Sequence, residues 1–320
     1  MSKLDQSLSE LDQSLRRIRE HFLFSDELAD RVILALNNDA TVHSDRLEPD
    51  SSSAAALAKL ERAWNYATEH FEGQLTPGLI AEIARIIHPD KGVYRTNMAM
   101  VEGRLKQYVM TNPAKVAREV DRLLVHINQA ESQHPAFTAA ELHLYFAIIH
   151  PLGDGNGRTA RLLQNLYLYE HSVPPVIIKH TERLTYLNHI EDALIGFRER
   201  SGQENMFEHR SHGEYRFFEY IVDKIKGSTE RLATKVGSLK KYEITADIKG
   251  PARRIYGLRN ALRTTLSSMG IPPQIDVDME NSKLTVISSA PEVSIVGITE
   301  RYKAKVPFLR RYEIKVLTKN

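Results

Sequence analysis

Residues 150–161 read His-Pro-Leu-Gly-Asp-Gly-Asn-Gly-Arg-Thr-Ala-Arg, which combines one histidine, one carboxylate, three glycines and two arginines in a single stretch. Apolar residues at helical spacing precede the stretch at 142–149 and follow it from Leu162, which predicts a loop between two helices. A glycine-rich turn that enters a helix presents backbone N–H groups and the positive end of the helix dipole to an anion. The stretch therefore predicts a phosphate-binding loop at a helix N-terminus.

The charged side chains of this loop have the chemistry that phosphoryl-type transfer needs. Arg158 and Arg161 are three residues apart on the predicted first helical turn, so their side chains share one face. Asp154 offers hard oxygen ligands that suit Mg²⁺. His150 is the only nucleophile or base in the loop. Because an ordinary histidine titrates at about pH 6.5, it can accept a proton near neutrality.

Simpler interpretations fit the stretch less well. Asp-Gly and Asn-Gly are typical of plain turns and hairpins, but the flanks are helical in period and do not alternate. A calcium loop would need a ligand at its fifth position, which is Arg158 and cannot bind a cation. A Walker-type loop would need Gly-Lys-Ser/Thr after the glycines, and this motif is absent.

The stretch resembles the signature of the Fic family, His-x-Phe-x-Asp/Glu-Gly-Asn-Gly-Arg-x-x-Arg, with Leu152 in the place of the usual phenylalanine. The resemblance covers about residues 40–226 and implies a mainly α-helical core with the active loop between two central helices. It also implies a protein adenylyltransferase, which moves AMP from ATP to a hydroxyl side chain of a target protein with the help of Mg²⁺. The matching positions are His150, Asp154, Gly155, Asn156, Gly157, Arg158 and Arg161.

The resemblance also assigns roles to these residues. It implies that His150 is the catalytic base, that Asp154 holds Mg²⁺, and that the two arginines clamp the β- and γ-phosphates. Tyr186 and Asn188 fall where the family often places residues of the adenine pocket. The implied nucleotide-binding residues are Gly153, Gly155, Asn156, Gly157, Arg158, Arg161 and Tyr186.

Residues 44–48 read Ser-Asp-Arg-Leu-Glu and resemble the family's inhibitory helix motif, Ser/Thr-x-x-x-Glu-Gly/Asn, within a predicted inhibitory helix near residues 41–50. Ser44 and Glu48 match, whereas Pro49 departs from the expected Gly or Asn. The resemblance implies that Glu48 pairs with Arg161 and pushes ATP into an unproductive pose. Because proline does not continue a helix, the helix is predicted to end at Leu47 or Glu48. The alternative is that Ser44 is a helix N-cap and Glu48 a solvated acid.

A further resemblance concerns the segment that follows Tyr94-Arg95. In the family this step leads into a β-hairpin flap, which places the flap of this chain at about residues 96–103. Such a flap docks a target protein segment by strand addition, which demands little of the target sequence. The alternative is an ordinary connecting hairpin.

The same residues leave several activities open. AMP removal by hydrolysis, with Glu48 positioning water, would use the same site, and so would transfer of another nucleotide or phosphate-linked group. A catalytically inactive binding module is a third alternative, which the intact His150 and Asp154 disfavour. Self-modification, the target protein and a homo-oligomeric state are also left open.

We expect the chain to divide into an N-terminal helical region at 1–75, a catalytic core at 76–230 and a small basic α+β domain at 240–320. Residues 240–320 hold 15 Lys and Arg against 8 Asp and Glu, a net charge of +7, whereas the whole chain is +2. This asymmetry predicts an anionic partner for the C-terminal domain, the alternative being a solvated basic face.

Periodicity predicts the elements of these regions. A helix starts at Thr76-Pro77. The other predicted helices are Leu4–Leu15, Asp26–Leu36, Ala54–Phe71, Asn112–Ile127, Thr138–His150, Arg183–Phe197, Tyr215–Ile225 and Pro251–Met269. The predicted strands are Tyr242–Ile248, Ile275–Met279, Leu284–Ile287 and Tyr312–Val316.

Composition sets the remaining limits. With 320 residues, 42% hydrophobic and 26% charged, the chain is typical of a globular protein with more than one domain. The absence of cysteine excludes disulfides and thiolate metal sites. No apolar run reaches about 18 residues, so we expect no transmembrane helix. The polar N-terminus shows no secretory signal, which predicts a cytoplasmic location, although a secretion-system effector could lack such a signal.

Overall fold

A computed structural model describes residues 2–22, 37, 39–48, 54–91, 93–104, 106–200, 206–237, 240–248, 254–268, 273–306 and 308–317. The predicted helix at Asp26–Leu36 lies outside the described residues. The chain divides into two compact units, Met1–Leu232 and Ala233–Asn320. Among the described helices, none combines the length and the apolar composition that crossing a lipid bilayer requires.

The first unit is built from helices, several of which start by the same device. A proline occupies the first turn, and the preceding side chain accepts a hydrogen bond from the backbone, as Thr76 does from Leu79 and Asn112 from Ala114. Most predicted boundaries agree within a few residues, but the last helix is much longer than predicted. The described helices up to Gly237, the last of which extends past the end of this unit at Leu232, are α1 Lys3–Phe22, α2 Ala54–His70, α3 Pro77–Ile87, α4 Pro113–Asn128, α5 Pro135–Ile149, α6 Asn156–Glu170, α7 Arg183–Glu199 and α8 His212–Gly237.

The central helix of this unit is α5, which is buried on nearly every side. A helix that is apolar all round belongs in the interior of a protein, and α5 packs there against α6. The connection between these two helices carries residues 150–155, so this loop is held at both ends by largely buried helices. We refer to residues 150–157 as the signature loop.

A short β-hairpin precedes α4. Strand β1 (Met100–Glu102) pairs antiparallel with β2 (Gln107–Val109), and Val101 faces Tyr108 in the register. The predicted flap at 96–103 therefore covers only the first half of the hairpin. The second strand is three residues long, which is too short for its alternation to be recognised in the sequence.

The second unit is a four-stranded antiparallel sheet with two helices against one face. Its elements are β3 Lys240–Ile248, α9 Ile255–Ser268, β4 Gln274–Asp278, β5 Lys283–Ser288, α10 Glu292–Lys305 and β6 Leu309–Leu317. The sheet order β4-β5-β3-β6 makes this a split βαβ arrangement. Leu258 and Leu262 of α9 pack with Tyr242 of β3 in its core. The prediction of a mainly α protein with a small C-terminal α+β domain is confirmed.

One element of this unit, α10, was not predicted. Its sequence contains Val293, Ile295 and Thr299, and such β-branched residues favour strands when judged locally. Ile295 and Ile298 are buried in the core of the unit, and this tertiary packing overrides the local preference.

Candidate active site

The signature loop begins with a strained turn at His150. His150 ends α5 in the left-handed conformation, with φ 52° and ψ 58°, and its backbone N–H donates to the Phe146 carbonyl at 2.9 Å. This conformation is uncommon for a residue with a side chain and needs support from its surroundings. The turn changes the direction of the chain at the end of α5, so that the His150 imidazole and the start of α6 lie at the two ends of the same loop.

Asn156 braces the loop from inside. Its Oδ1 accepts from the Leu152 backbone N–H at 2.9 Å, and its Nδ2 donates to the Leu152 carbonyl at 3.0 Å. Both polar groups of the side chain are thus engaged, and the Leu152 side chain is buried in the core, as expected for an apolar substitute at that position. In this structure the Asn156 side chain orders the loop, so a phosphate contact from that side chain stays a prediction.

The segment 91–95 holds the loop from outside. The Gly153 N–H donates to the Lys91 carbonyl at 3.0 Å, and the Arg95 N–H donates to the Pro151 carbonyl at 2.9 Å. Tyr94 and Leu152 form an isolated antiparallel bridge between these bonds. The backbone of the loop is therefore fixed by neighbours distant in sequence.

Arg95 is a site residue that the sequence analysis missed. Its Nε donates to the His150 carbonyl at 2.7 Å, and its two other nitrogens donate to the carbonyls of Asn97 at 2.9 Å and Thr111 at 2.5 Å. The side chain is buried. Arg95 therefore joins the turn at His150 to both ends of the flap segment, and only the Tyr94-Arg95 step marked it in the sequence.

The environment of His150 keeps its imidazole neutral. Burial lowers the pKa of His150 to about 4, a hydrogen bond with the backbone of Ala147 opposes the shift, and the charge of Arg95 adds to it. A neutral imidazole is the form that can accept a proton. His150 is therefore in its basic form throughout the neutral pH range.

The start of α6 is built to receive an anion. Gly155 precedes the helix with φ 77°, a conformation that glycine adopts without steric cost, and no side chain caps the helix. The first N–H groups of a helix lack acceptors within the helix. Arg158 lies on this first turn, and its buried Nε has no hydrogen-bond partner in the described part of the chain. These features fit the phosphates of a nucleotide.

Asp154 presents a carboxylate beside this turn. Its Oδ2 is 3.3 Å from His88 Nε2, and its Oδ1 is 3.5 Å from Arg158 Nη2. The side chain is 45% exposed, so its oxygens are accessible. The described residues contain no cluster of three or more metal-ligating side chains. A single accessible carboxylate fits Mg²⁺, because this ion keeps several waters and is commonly shared with substrate phosphates.

Arg161 is surrounded by the predicted inhibitory residues. Its Nε donates to Ser44 Oγ at 2.8 Å, and its Nη2 donates to Glu48 Oε1 at 2.6 Å and to the Ser44 carbonyl at 3.1 Å. Burial alone would raise the pKa of Glu48, but the charge and hydrogen bond of Arg161 hold it below its ordinary value. A Cβ at Gly157 would lie 2.8 Å from Glu48 Oε1 and 3.1 Å from Arg161 Nη1, so a side chain there would displace the ends of this ion pair.

The segment that carries Ser44 and Glu48 is helical over 39–46 and then turns. Two backbone carbonyls at the end of this segment accept hydrogen bonds from side chains just before and at the start of α7. His180 Nδ1 donates to the Arg46 carbonyl at 2.6 Å, and Arg183 Nε donates to the Leu47 carbonyl at 2.6 Å. Pro49 lies outside the described residues.

Asp45 is a second acidic residue of this segment that the sequence analysis missed. Its side chain is 5% exposed, and its Oδ1 has no hydrogen-bond partner among the described residues. Burial raises the pKa of Asp45, and the charge of the nearby Arg158 opposes this rise. The segment thus brings one carboxylate toward each of the two arginines of the motif.

Tyr186 lies behind Arg161. Its side chain is 2% exposed, and its hydroxyl accepts from Arg161 Nη1 at 3.2 Å and contacts His143 Nε2 at 2.9 Å. The structure therefore places the hydroxyl in a network around Arg161. An adenine contact of Tyr186, or of the partly buried Asn188, stays a prediction.

The flap hairpin is fastened to α7 by Glu191. This buried carboxylate accepts from the Arg104 backbone N–H at 3.0 Å, from Arg104 Nε at 2.7 Å and from the Tyr108 hydroxyl at 2.9 Å. Met98 and Met100 expose 56% and 64% of their surface along the other side of the segment. The hairpin is thus ordered and presents apolar side chains outward.

Known proteins share this arrangement of residues. The family model described as Fic/DOC matches residues 74–168, which include the hairpin and the whole signature loop. Residues 74–168 of the chain are therefore similar to the Fic/DOC family. The matched region contains His150, Asp154, Arg158 and Arg161 but ends before Tyr186 and begins after Glu48.

Proteins from flies are among the curated relatives of this chain. The chain is 36% identical over 107 residues to the "Protein adenylyltransferase Fic" of Drosophila mojavensis, which covers 33% of this chain and 20% of the relative. The protein of the same name from Drosophila ananassae is also 36% identical over 107 residues, covering 33% of this chain and 21% of the relative. The match thus spans about a fifth of the length of these relatives.

Solved structures share the fold of most of this chain. A Fic-domain-containing signalling protein from Bacteroides thetaiotaomicron superposes with a TM-score of 0.59 at 19% identity, covering 72% of this chain and 97% of that one. Fic-1 from C. elegans superposes with a TM-score of 0.51 at 18% identity, covering 73% of each chain. At these identities the likeness concerns the fold.

Proposed function

We propose that the Fic domain of this chain is a protein adenylyltransferase that transfers AMP from ATP to a hydroxyl side chain of a target protein. The observation that carries the proposal is the signature loop, which joins a neutral histidine to an uncapped helix N-terminus flanked by two arginines. The name of the fly relatives supports the same activity.

In the proposed reaction, the target hydroxyl oxygen attacks the α-phosphorus of ATP. The bond between that phosphorus and the oxygen bridging to the β-phosphate breaks, and pyrophosphate leaves with the bond electrons. His150 accepts the proton of the hydroxyl as the new bond forms. The lowered pKa of about 4 keeps the imidazole neutral and ready for this step.

The phosphates would be bound by groups around the start of α6. The first N–H groups of the helix and the side chains of Arg158 and Arg161 offer donors to the phosphate oxygens. Asp154 would hold Mg²⁺, which when bound neutralises phosphate charge that develops in the transition state. Fixed donors and charges of this kind are the main contribution of a protein to phosphoryl-type transfer.

We further propose that the protein is held inactive by Glu48. Its carboxylate and Ser44 occupy the Nε and Nη2 atoms of Arg161, which are the donors that a phosphate would need. ATP could then bind only with its terminal phosphates displaced. Release of the segment 39–48 would restore the clamp.

The target segment would dock on the flap. Met98, Met100 and Val109 are exposed there, and the antiparallel pair of β1 and β2 can be extended by another strand. Strand addition orients an extended segment through backbone bonds. A flexible segment of another copy of this chain could dock in the same way, which would produce self-modification.

The experiment that tests the proposal uses ATP labelled at either the α- or the γ-phosphate. We expect Glu48→Gly protein to incorporate the α-label but not the γ-label in the presence of Mg²⁺. The double variant Glu48→Gly/His150→Ala should incorporate none, whereas Glu48→Gly/His70→Ala, which changes an exposed histidine of α2, should remain active.

Other outcomes assign other functions. Incorporation of the γ-label would show phosphoryl transfer, and incorporation that persists without His150 would contradict its role as base. Loss of label from premodified protein after ATP is removed would assign AMP hydrolysis to the site. Absence of labelling with every nucleotide and every variant would favour a binding module.

A further inference from the structure

Three buried polar side chains form a chain of hydrogen bonds behind Arg161. His143 of α5 lies between Gln164 of α6 and Tyr186 of α7, with His143 Nδ1 2.5 Å from Gln164 Oε1 and His143 Nε2 2.9 Å from the Tyr186 hydroxyl. Tyr186 in turn accepts from Arg161 Nη1 at 3.2 Å. All four residues are buried. Buried polar groups of this kind are retained only when they are paired.

The amide orientation of Gln164 fixes the direction of this series of hydrogen bonds. Gln164 Nε2 donates to Asn165 Oδ1 at 3.4 Å, which turns the amide oxygen of Gln164 toward His143. The proton of His143 must then lie on Nδ1, which leaves Nε2 as an acceptor. Burial lowers the pKa of His143 to about 3, so the ring stays neutral and keeps one donor and one acceptor.

The orientation of the Tyr186 hydroxyl follows. It donates its proton to His143 Nε2, and its lone pairs are therefore directed to Arg161 Nη1. The hydroxyl can act only as an acceptor toward the guanidinium. The Tyr186 ring also lies against the Arg161 guanidinium, with the ring centroid 5.7 Å from Cζ.

The guanidinium of Arg161 thus has two differently bound edges. Ser44 and Glu48 take Nε and Nη2, and both belong to the segment 39–48. Tyr186 takes Nη1 and belongs to the helical core. If the segment is released, Nε and Nη2 become available together, and this pair of donors matches a phosphate bidentately.

We infer that Gln164, His143 and Tyr186 are positioning residues, which hold Arg161 so that its Nε–Nη2 edge exchanges Ser44 and Glu48 for a phosphate of ATP. The inference rests on the proposed nucleotide-binding function. It assigns the Tyr186 hydroxyl to Arg161, so adenine recognition is not its task. A guanidinium without this anchor would keep its charge but lose its fixed direction, which weakens binding of the distal phosphates only.

The test measures binding in a protein that cannot turn over ATP. Calorimetry with the Glu48→Gly/His150→Ala protein gives the Kd for Mg²⁺–ATP and for AMP, which lacks the distal phosphates. Adding Tyr186→Phe removes the hydroxyl and keeps the ring. Because one hydrogen bond to a charged group is lost, we expect ATP to bind about 10-fold more weakly and AMP to bind unchanged.

The matched control is Tyr145→Phe, which removes another buried tyrosine hydroxyl from α5. That hydroxyl donates to Glu214 Oε1 at 2.9 Å and takes no part in the Arg161 network. We expect it to leave the Kd of both nucleotides unchanged. We call the hydrogen-bonded side chains of Gln164, His143 and Tyr186 the relay. A second variant of the relay, Gln164→Met, removes the acceptor that fixes the proton of His143, and we expect it to weaken ATP binding about 3-fold.

The outcomes separate the inference from the function on which it rests. If the parent protein binds no ATP, the proposed function is wrong. If ATP binds but Tyr186→Phe leaves its Kd unchanged, the relay is wrong. Equal weakening of ATP and AMP also overturns the relay, because it indicates a base contact or a general disturbance. Should Tyr186→Phe fail to fold, Gln164→Met decides by the same comparison.

Discussion

Replacing Glu48 by glutamine isolates the charge of the proposed inhibitory contact with Arg161. Glutamine has the same shape and keeps a carbonyl acceptor for Arg161 Nη2, which Glu48 Oε1 contacts at 2.6 Å. The two bonds from Arg161 to Ser44 are untouched by the change. Any activation of Glu48→Gln protein therefore measures what the ion pair contributes to the inactive state.

The magnitude follows from the burial of the two side chains. Arg161 is 6% exposed and Glu48 is 31% exposed, so the pair is partly shielded from solvent. A hydrogen bond to a charged group contributes about 1.5–3 kcal/mol, and a neutral one about 0.5–1.5 kcal/mol. The exposure of Glu48 favours the lower values. We expect Glu48→Gln to destabilise the inactive state by about 1 kcal/mol and Glu48→Gly by about 2 kcal/mol.

These energies correspond to a rise in the rate of AMP incorporation of about 5-fold for Glu48→Gln and about 30-fold for Glu48→Gly, since about 1.4 kcal/mol is tenfold. The assay is the initial rate of α-label incorporation at equal protein and subsaturating ATP. Glu61→Gln, which changes an exposed glutamate of α2, is the control and should match the wild type. A glutamine variant as inactive as the wild type beside an active glycine variant would refute the charge argument.

Four further predictions concern the surroundings of the site. Because burial lowers the pKa of His150 to about 4 and the base must be neutral, kcat/KM should fall only as the pH drops toward that value, and an inflection near an ordinary histidine pKa would contradict this. Arg95→Lys keeps the charge but not the fork to three carbonyls, so kcat should fall about 10-fold with little change in the KM for ATP. Arg183→Gln should uncap the Leu47 carbonyl and raise the basal labelling rate about 3-fold, measured without any change at Glu48. Asp154→Asn should raise the Mg²⁺ concentration for half-maximal activity about 10-fold, as a metal titration would show.

The candidate site residues of the loop could be predicted from the sequence, because they lie close together in the chain. His150, Asp154, Arg158 and Arg161 are close in the chain, and the helical periods on either side determine which face they share. The pairing of Glu48 with Arg161 joins residues 113 positions apart. Helix and strand propensities are local and contain no information about contacts between residues so far apart. The pairing was predicted only from the resemblance to known inhibitory motifs.

The residues that support the site could not be predicted from the sequence, for a related physical reason. Arg95, Asp45 and Glu191 act through backbone carbonyls, burial and neighbours that exist only after the chain has folded. Nothing in a run of residues distinguishes a buried arginine from a solvated one, since arginine is normally exposed. Tyr186 shows the converse: its position was recognised, but its role depends on the hydrogen-bond direction imposed by His143.

The proposed shared use of Arg161 would couple inhibition to nucleotide binding. In the proposed mechanism, Glu48 and a phosphate of ATP compete for Nη2, so any free energy that stabilises the docked segment 39–48 must reappear as weaker productive binding of ATP. The reverse also holds: ATP bound with its phosphates on Arg161 must favour release of the segment. The hydrogen bond from Arg161 Nη1 to Tyr186 does not affect this competition, because the relay holds Nη1 in either arrangement. Glu48 variants should therefore change the balance between the two states, and Tyr186 variants the quality of the clamp.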